Sequence, residues 1–150
     1  SVTIVWDDLR IPHIFSKNES DLYFAQGYIM ARDRLWQMEF QTIVAEGRLS
    51  EIVGKEALQI DTFHRRIGIK YGALNSLNAI KNDTVIYNML NSFSSGINAY
   101  IKDLDERTKP LEYKILDYYP EKWTPYKTLL ILKLLINVLK IYLKKFITID

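Results

Sequence analysis

The sequence predicts a mainly α fold with a small β contribution, an α+β chain. Apolar residues recur at helical spacing from Asn18 to about Glu46 and again from Val85 to Ile101, whereas β-like alternation is confined to two short pieces before residue 16. The chain has 150 residues, of which 48% are hydrophobic and 25% charged, which sets an expectation of one domain, 1–150, with a core of ordinary size. No internal repeat or low-complexity tract divides it.

Val2–Trp6 is β-rich and ends at Asp7-Asp8, and Ile11–Phe15 is a second extended piece in which Pro12 confines the strand to an edge or a start. A lone two-stranded hairpin is marginal in water, so these strands are expected to join a sheet supplied from outside the sequence. Asn18, with Asp21 three residues on, caps the first helix. Leu22, Ala25, Ile29, Trp36, Phe40 and Ile43 then mark one face until Gly47 interrupts. Shorter helices follow from Arg48 to Val53, from Ala57 to Ile67 and from Lys70 to Ile80, the first two closing on Gly54 and Gly68. Asn82 or Asp83 caps the next long helix, with Gly96 inside it at a close contact. Leu111 to Tyr118 is a short helix, and Thr124-Pro125 starts a last one running to about Phe146.

That last helix is unusual. Between Leu129 and Leu143 nearly every residue is apolar, yet Lys133, Asn137, Lys140 and Lys144 fall on one face at intervals of four, three and four. A central lysine costs about 2.5 to 3.5 kcal/mol on insertion, which argues against a membrane span. The lysine stripe leaves an interfacial helix open, but a helix apolar over most of its circumference is normally packed on several sides, here including a partner chain. Alone, it would expose a large apolar surface.

Net charge is only +2, and no basic run is interleaved with aromatics, so no nucleic-acid partner is expected. Without cysteine there is no disulfide, thiolate nucleophile or Cys-ligated zinc, and the redox compartment is open. The chain opens on Ser1 rather than on a basic and then apolar leader, so any signal peptide is expected to have been removed or never present. There is no G-x-S-x-G elbow or Gly-rich phosphate loop. His13 and His64 each lack a second histidine at metal-ligand spacing, and read as structural or surface residues. An N-terminal Ser1 could use its own amine as base, but it precedes a plain strand and reads as a processing remnant. The acidic pairs Asp7-Asp8 and Asp103/Asp105 sit in polar turns where solvated carboxylates are the simpler reading. Taken alone, the chain presents no catalytic residue, no metal site and no cofactor site.

Residues 21–40, Asp-Leu-Tyr-Phe-Ala-Gln-Gly-Tyr-Ile-Met-Ala-Arg-Asp-Arg-Leu-Trp-Gln-Met-Glu-Phe, and 45–54, Ala-Glu-Gly-Arg-Leu-Ser-Glu-Ile-Val-Gly, carry a resemblance. Pro12-His13-Ile14, Asp61 to Gly68, Gly96 to Ile101 and Trp123-Thr-Pro125 extend it in order. Over roughly residues 2 to 139 the chain resembles the α-chain portion of the penicillin acylase (penicillin amidase) family of N-terminal-nucleophile hydrolases. The resemblance implies an αββα assembly in which a precursor processes itself into α and β chains. The β chain begins with the nucleophilic Ser, whose amine acts as base, and β-chain groups form the oxyanion hole. It further implies a periplasmic or secreted enzyme acting on a small N-acyl substrate, and an α chain that is inactive alone and serves as scaffold and as one wall of the acyl pocket. Gap-free placement puts that substrate-binding wall at Ile136, Leu139 and Lys140; Ile136 and Leu139 suit an aromatic or aliphatic acyl chain, while a plain core or a solvated Lys140 stays open.

Physically, Arg32, Asp33, Arg34 and Glu39 alternate with Leu35, Trp36, Met38 and Phe40, so ion pairs are expected beside a large apolar face. Trp6 stands where the family usually has Arg, and Arg10 where it has a turn Gly, which disfavours a left-handed turn by about 1 kcal/mol or more and suggests a rebuilt N-terminal turn. No acid between Lys140 and Ile149 matches the carboxylate that ligates calcium in some members. After Leu139 the resemblance stops, leaving a truncated, frameshifted or divergent end as readings. The expectation is therefore the α-chain portion of an amidase acting on β-lactam side chains or acyl-homoserine lactones with its β chain. The alternative is a non-enzymatic relative, or a helical module binding a partner or membrane surface through its last helix.

Overall fold

The computed structural model describes residues 1–147. Its elements are strands β1 (Val2–Trp6) and β2 (Pro12–Ser16) and helices α1 (Glu19–Glu46), α2 (Ser50–Val53), α3 (Leu58–Ile67), α4 (Ile69–Ile80), α5 (Thr84–Asp103), α6 (Leu111–Ile115) and α7 (Pro125–Ile147), with a 3-10 turn at Lys55–Ala57. Helix dominates, as expected. The residues fall into two compact units, Ser1–Gln37 with Ile80–Pro125, and Met38–Ala79 with the chain from Tyr126 onward. The boundary cuts α1 close to Arg34, whose φ of −146° and ψ of 25° break the helical path. Hydrophobic periodicity carries straight through this kink, which is why the sequence showed no sign of it.

In the first unit β1 and β2 form an antiparallel hairpin, Val2 opposite Ser16 and Trp6 opposite Pro12. The turn is tied by Asp7, whose carboxylate accepts from the N–H groups of Leu9 (3.0 Å) and Ile11 (2.8 Å). Arg10 nevertheless adopts φ 61°. The expectation that Arg10 would force the turn to be rebuilt is therefore corrected: the Asp7 hydrogen bonds hold a left-handed residue in place despite its Cβ.

The same unit packs α1 against α5 with almost no side chain between them. A Cβ on Gly27 would run into the Phe93 carbonyl, and one on Gly96 into the Phe24 carbonyl. These reciprocal glycines let two backbones touch, and the buried Ile97 and Ile101 follow on the same helix. Asp83 caps α5, its carboxylate accepting from the N–H groups of Val85 and Ile86. The Asn98 side chain clamps the backbone ahead of α7, accepting from Trp123 N–H (2.8 Å) and donating to Trp123 C=O (2.9 Å). Trp123 itself is buried, as is Tyr113, which meets Trp36 edge to face at 5.1 Å.

In the second unit Ile43, Ala45, Leu49, Ile69, Ala73, Leu129 and Leu130 form the core. Gly68, at φ 73°, ends α3 in a left-handed cap as predicted. Of the expected ion pairs, Glu39 has a buried partner in Lys127 on α7, 3.1 Å away, while Arg32 pairs with Asp33 on an exposed surface. The last helix is a core helix only in its first turns: Lys127, Leu129 and Leu130 are buried, but from Leu132 to Lys144 no residue is. Among the described residues no helix is long and apolar enough to cross a membrane.

Candidate functional site

Three polar constructions in the second unit set the position of α7 and of the segment that faces it. The first is the Glu39–Lys127 pair, with Glu39 only 1% exposed. A buried carboxylate needs a nearby cation, so this contact pins the first turn of α7 to the end of α1. The second centres on Glu46, which accepts from the Tyr126 hydroxyl (2.8 Å) and Arg48 (3.0 Å) and has Lys70 at 3.8 Å. Burial and the Glu46 carboxylate push the Tyr126 hydroxyl far above its ordinary pKa, so it stays a donor.

The third is Asp61. Its carboxylate accepts from the N–H groups of Leu49 (2.8 Å) and Ser50 (2.9 Å) and from the Ser50 hydroxyl. Burial alone would raise its pKa, but the Ser50 and Leu49 donors and the nearby Arg65 charge outweigh that and hold it below the ordinary carboxylate value. Arg65 also donates to the Gly47 carbonyl at 2.8 Å. An open hollow of about 670 Å³ lies over this network, lined by Glu46, Arg48, Glu51, Arg65, Lys70 and Tyr71 among others. Its charges are spent on one another: Arg48 bridges Glu46 and Glu51, and Arg65 holds Gly47. This makes it a structural network.

A second, smaller hollow bears on the sequence-predicted site. It is a groove of about 190 Å³ between α7 and the α3–α4 junction, lined by Ile67, Gly68, Ile69, Gly72, Lys133, Ile136, Asn137 and Lys140. Positions 133, 136, 137 and 140 share a face of α7 by helical spacing. Of the three predicted residues, Ile136 and Lys140 are thus brought together. Leu139 is not: it lies outside this groove and is 59% exposed. Lys133 and Asn137 line the groove although the sequence reading gave them no site role. The signal was present in the lysine stripe, but which face of α7 meets the glycines of the α3–α4 junction depends on packing.

The other candidates have local explanations. His13 Nε2 lies 3.3 Å from Asp7 in the exposed hairpin, and His64 Nδ1 is 3.0 Å from the Ile60 carbonyl one turn back. Asp105 caps its own turn through the N–H groups of Arg107 and Thr108, both at 2.8 Å. The Ser1 amine is engaged by Asp21 at 3.1 Å. Among the described residues no group of three or more His, Cys, Asp or Glu side chains is arranged to hold a metal ion.

Comparison with known proteins decides what this scaffold is. The family model described as penicillin amidase matches residues 1–145. The chain belongs to the penicillin amidase family. The match runs a few residues beyond Leu139, where the sequence reading had the resemblance stop. Penicillin acylase 2 proenzyme from Pseudomonas sp. (strain SE83) is 33% identical over 88% of this chain, and penicillin G acylase from Escherichia coli is 26% identical over 87%. An acyl-homoserine lactone acylase, QuiP, from Pseudomonas syringae pv. tomato is 31% identical over 90%. The chain spans 16% of the length of each of these curated relatives. In three dimensions it is similar to a thermostable penicillin G acylase from Alcaligenes faecalis, with a TM-score of 0.76 and 26% identity, covering 87% of this chain and 69% of that one. As a member of this amidase family the chain has the α-rich architecture predicted for an α-chain portion.

Proposed function

We propose that this chain, as one α-chain-like domain, is the α portion of an amidase that hydrolyses N-acyl compounds, β-lactam side chains or acyl-homoserine lactones, together with a second chain carrying an N-terminal Ser nucleophile. The family match over residues 1–145, in a chain that spans 16% of its relatives, carries this reading. It is supported by chemistry as well. The histidines and acids described above are engaged in turns, caps and ion pairs, whereas the outer half of α7 presents Leu132, Leu135, Leu139 and Tyr142 to solvent. Such a face is covered in a working protein.

In this reading the first turns of α7 are fixed by the Glu39–Lys127 pair of the second unit. The outer turns then serve as a wall of the acyl pocket through Ile136, Leu139 and Lys140. Helix side chains held at one end by a buried ion pair make a rigid wall, which is what orientation of an acyl group requires. The two β strands would join the second chain's sheet.

The test is to produce the chain with the β chain encoded downstream of it and assay a chromogenic phenylacetyl amide and an acyl-homoserine lactone. Hydrolysis by the pair and none by this chain alone is the expected result. A reading frame that stops soon after Asp150 with no Ser-initiated partner would sink the proposal in favour of a non-enzymatic module.

A further inference from the structure

The hairpin turn and α1 share an open hollow of about 510 Å³, lined by Trp6, Arg10, Arg32 and Asp33, all of the first unit. The Arg32 guanidinium lies over the Trp6 ring, 4.3 Å from its centroid, and its Nε donates to Asp33 at 2.9 Å. An indole beneath the fork and a carboxylate at one edge fix its plane, so little side-chain freedom remains to be lost on binding. The terminal nitrogens of Arg32 carry no hydrogen bond or ion pair among the described residues, and neither does the side chain of Arg10. Arg10 is also held at φ 61°, a costly conformation for a residue with a Cβ, by the Asp7 clamp on Ile11 N–H. Strained residues of this kind cluster at ligand clamps. Trp6 and Arg10 are the two positions at which the N-terminal segment departs from the family's usual residues, so the chemistry of this hollow belongs to this chain. On either side of Arg10 in the turn, Leu9 is 80% exposed and Ile11 51%.

We propose that the hollow docks an acidic peptide segment, one carboxylate side chain between apolar neighbours. The terminal nitrogens of Arg32 take the carboxylate edge-on, because a planar fork matches two coplanar oxygens, and Arg10 donates to the lone pairs left over. Asp33 already balances one of the two guanidiniums. The single cation left over suits a monocarboxylate, whereas a phosphate dianion would meet repulsion from Asp33. Leu9 and Ile11 receive the apolar neighbours of the acid, which is why the carrier is a peptide and not a free acid. Neither the hollow nor its ligand depends on a second chain, and the docking site stands apart from the amidase reading.

The probe is the peptide acetyl-Leu-Glu-Leu-amide, titrated into the 150-residue chain at low ionic strength while backbone, indole and arginine side-chain N–H signals are followed by NMR. Saturable shifts are expected at the Trp6 indole N–H, the Arg32 Nε–H and the amides of Leu9, Arg10 and Ile11. Affinity should fall at least about tenfold in Arg10→Gln/Arg32→Gln and stay unchanged in Arg66→Gln, an exposed arginine of the second unit. Arg10→Gln alone removes a side chain with no partner to lose, and should still weaken binding about threefold or more, so a double variant that fails to fold does not shelter the proposal. The neutral peptide acetyl-Leu-Gln-Leu-amide, free acetate and inorganic phosphate should each bind at least about tenfold more weakly than the acidic peptide. No saturable shift at the hollow, or unchanged affinity in the arginine variants, would overturn the proposal. Equal binding of the neutral peptide makes the contact merely apolar, equal binding of acetate makes it a site for free carboxylates, and equal binding of phosphate makes it a general anion hollow; each overturns peptide docking.

Discussion

Replacing Lys127 by Met removes the cation from a glutamate that is almost completely enclosed. Met keeps most of the lysine stem, so the packing change is small and the main effect is electrostatic. Glu39 is 1% exposed, and its Oε1 lies 3.1 Å from the Lys127 ammonium. Breaking a buried pair from one side costs about 3 to 5 kcal/mol, because the remaining charge stays in a poor solvent or must take up a proton. Total stabilities of about 5 to 15 kcal/mol are usual, so this is a large fraction. At a urea slope of about 2 kcal/mol per molar, the midpoint should fall by about 1.5 to 2.5 M. Removing both charges is different: Glu39→Met/Lys127→Met leaves no buried ion and should recover most of the loss. Urea unfolding of wild type, both single variants and the double variant, followed by circular dichroism, gives the coupling directly. A cost below about 1 kcal/mol for Lys127→Met, or a double variant no better than the worse single one, would refute the assignment of this contact as the buried anchor of α7.

Two other perturbations probe the scaffold. Gly96→Ala gains up to about 1 kcal/mol of helix propensity but drives a Cβ into the Phe24 carbonyl; since that neighbour is backbone, a net destabilisation of about 1 to 3 kcal/mol is expected by thermal unfolding, with Gly68→Ala, whose added Cβ meets nothing within 4 Å, paying only for its positive φ. Asp61, with its pKa lowered on folding, stabilises the chain above the unfolded carboxylate value of about 3.9 and loses that contribution as pH falls through the lower folded value. Asp61→Asn should therefore be less stable than wild type at pH 7 by about 1 to 3 kcal/mol, and the gap should narrow below about pH 4 in a series of urea melts.

Elements governed by local rules were legible in the sequence. Asp83 before an apolar run, Gly68 after one and Pro125 at a helix start each act within a turn, and each sits where expected. The close contact at Gly96 was legible too, because a glycine inside a strong helical pattern needs a reason. What escaped depends on long-range geometry. Nothing around Arg34 marks a kink, since every residue from Ala31 to Gln37 is a tolerable helix former. Glu39 and Lys127 are 88 residues apart, and no pattern links them. At Arg10 a general rule was outweighed by a particular neighbour, Asp7, which accepts from Ile11 N–H and fixes the turn.

The candidate site divides along the same line. Ile136 and Lys140 line one groove because they are four residues apart and share a face wherever the helix lies. Leu139 is one residue from Lys140, and its place depends on what lies opposite. It faces away from the α3–α4 junction and towards solvent, together with Leu132, Leu135 and Tyr142 at spacings of seven, four and three. The outer half of α7 thus has two faces with different chemistry: a charged one against the glycines of the α3–α4 junction, and an apolar one exposed to solvent.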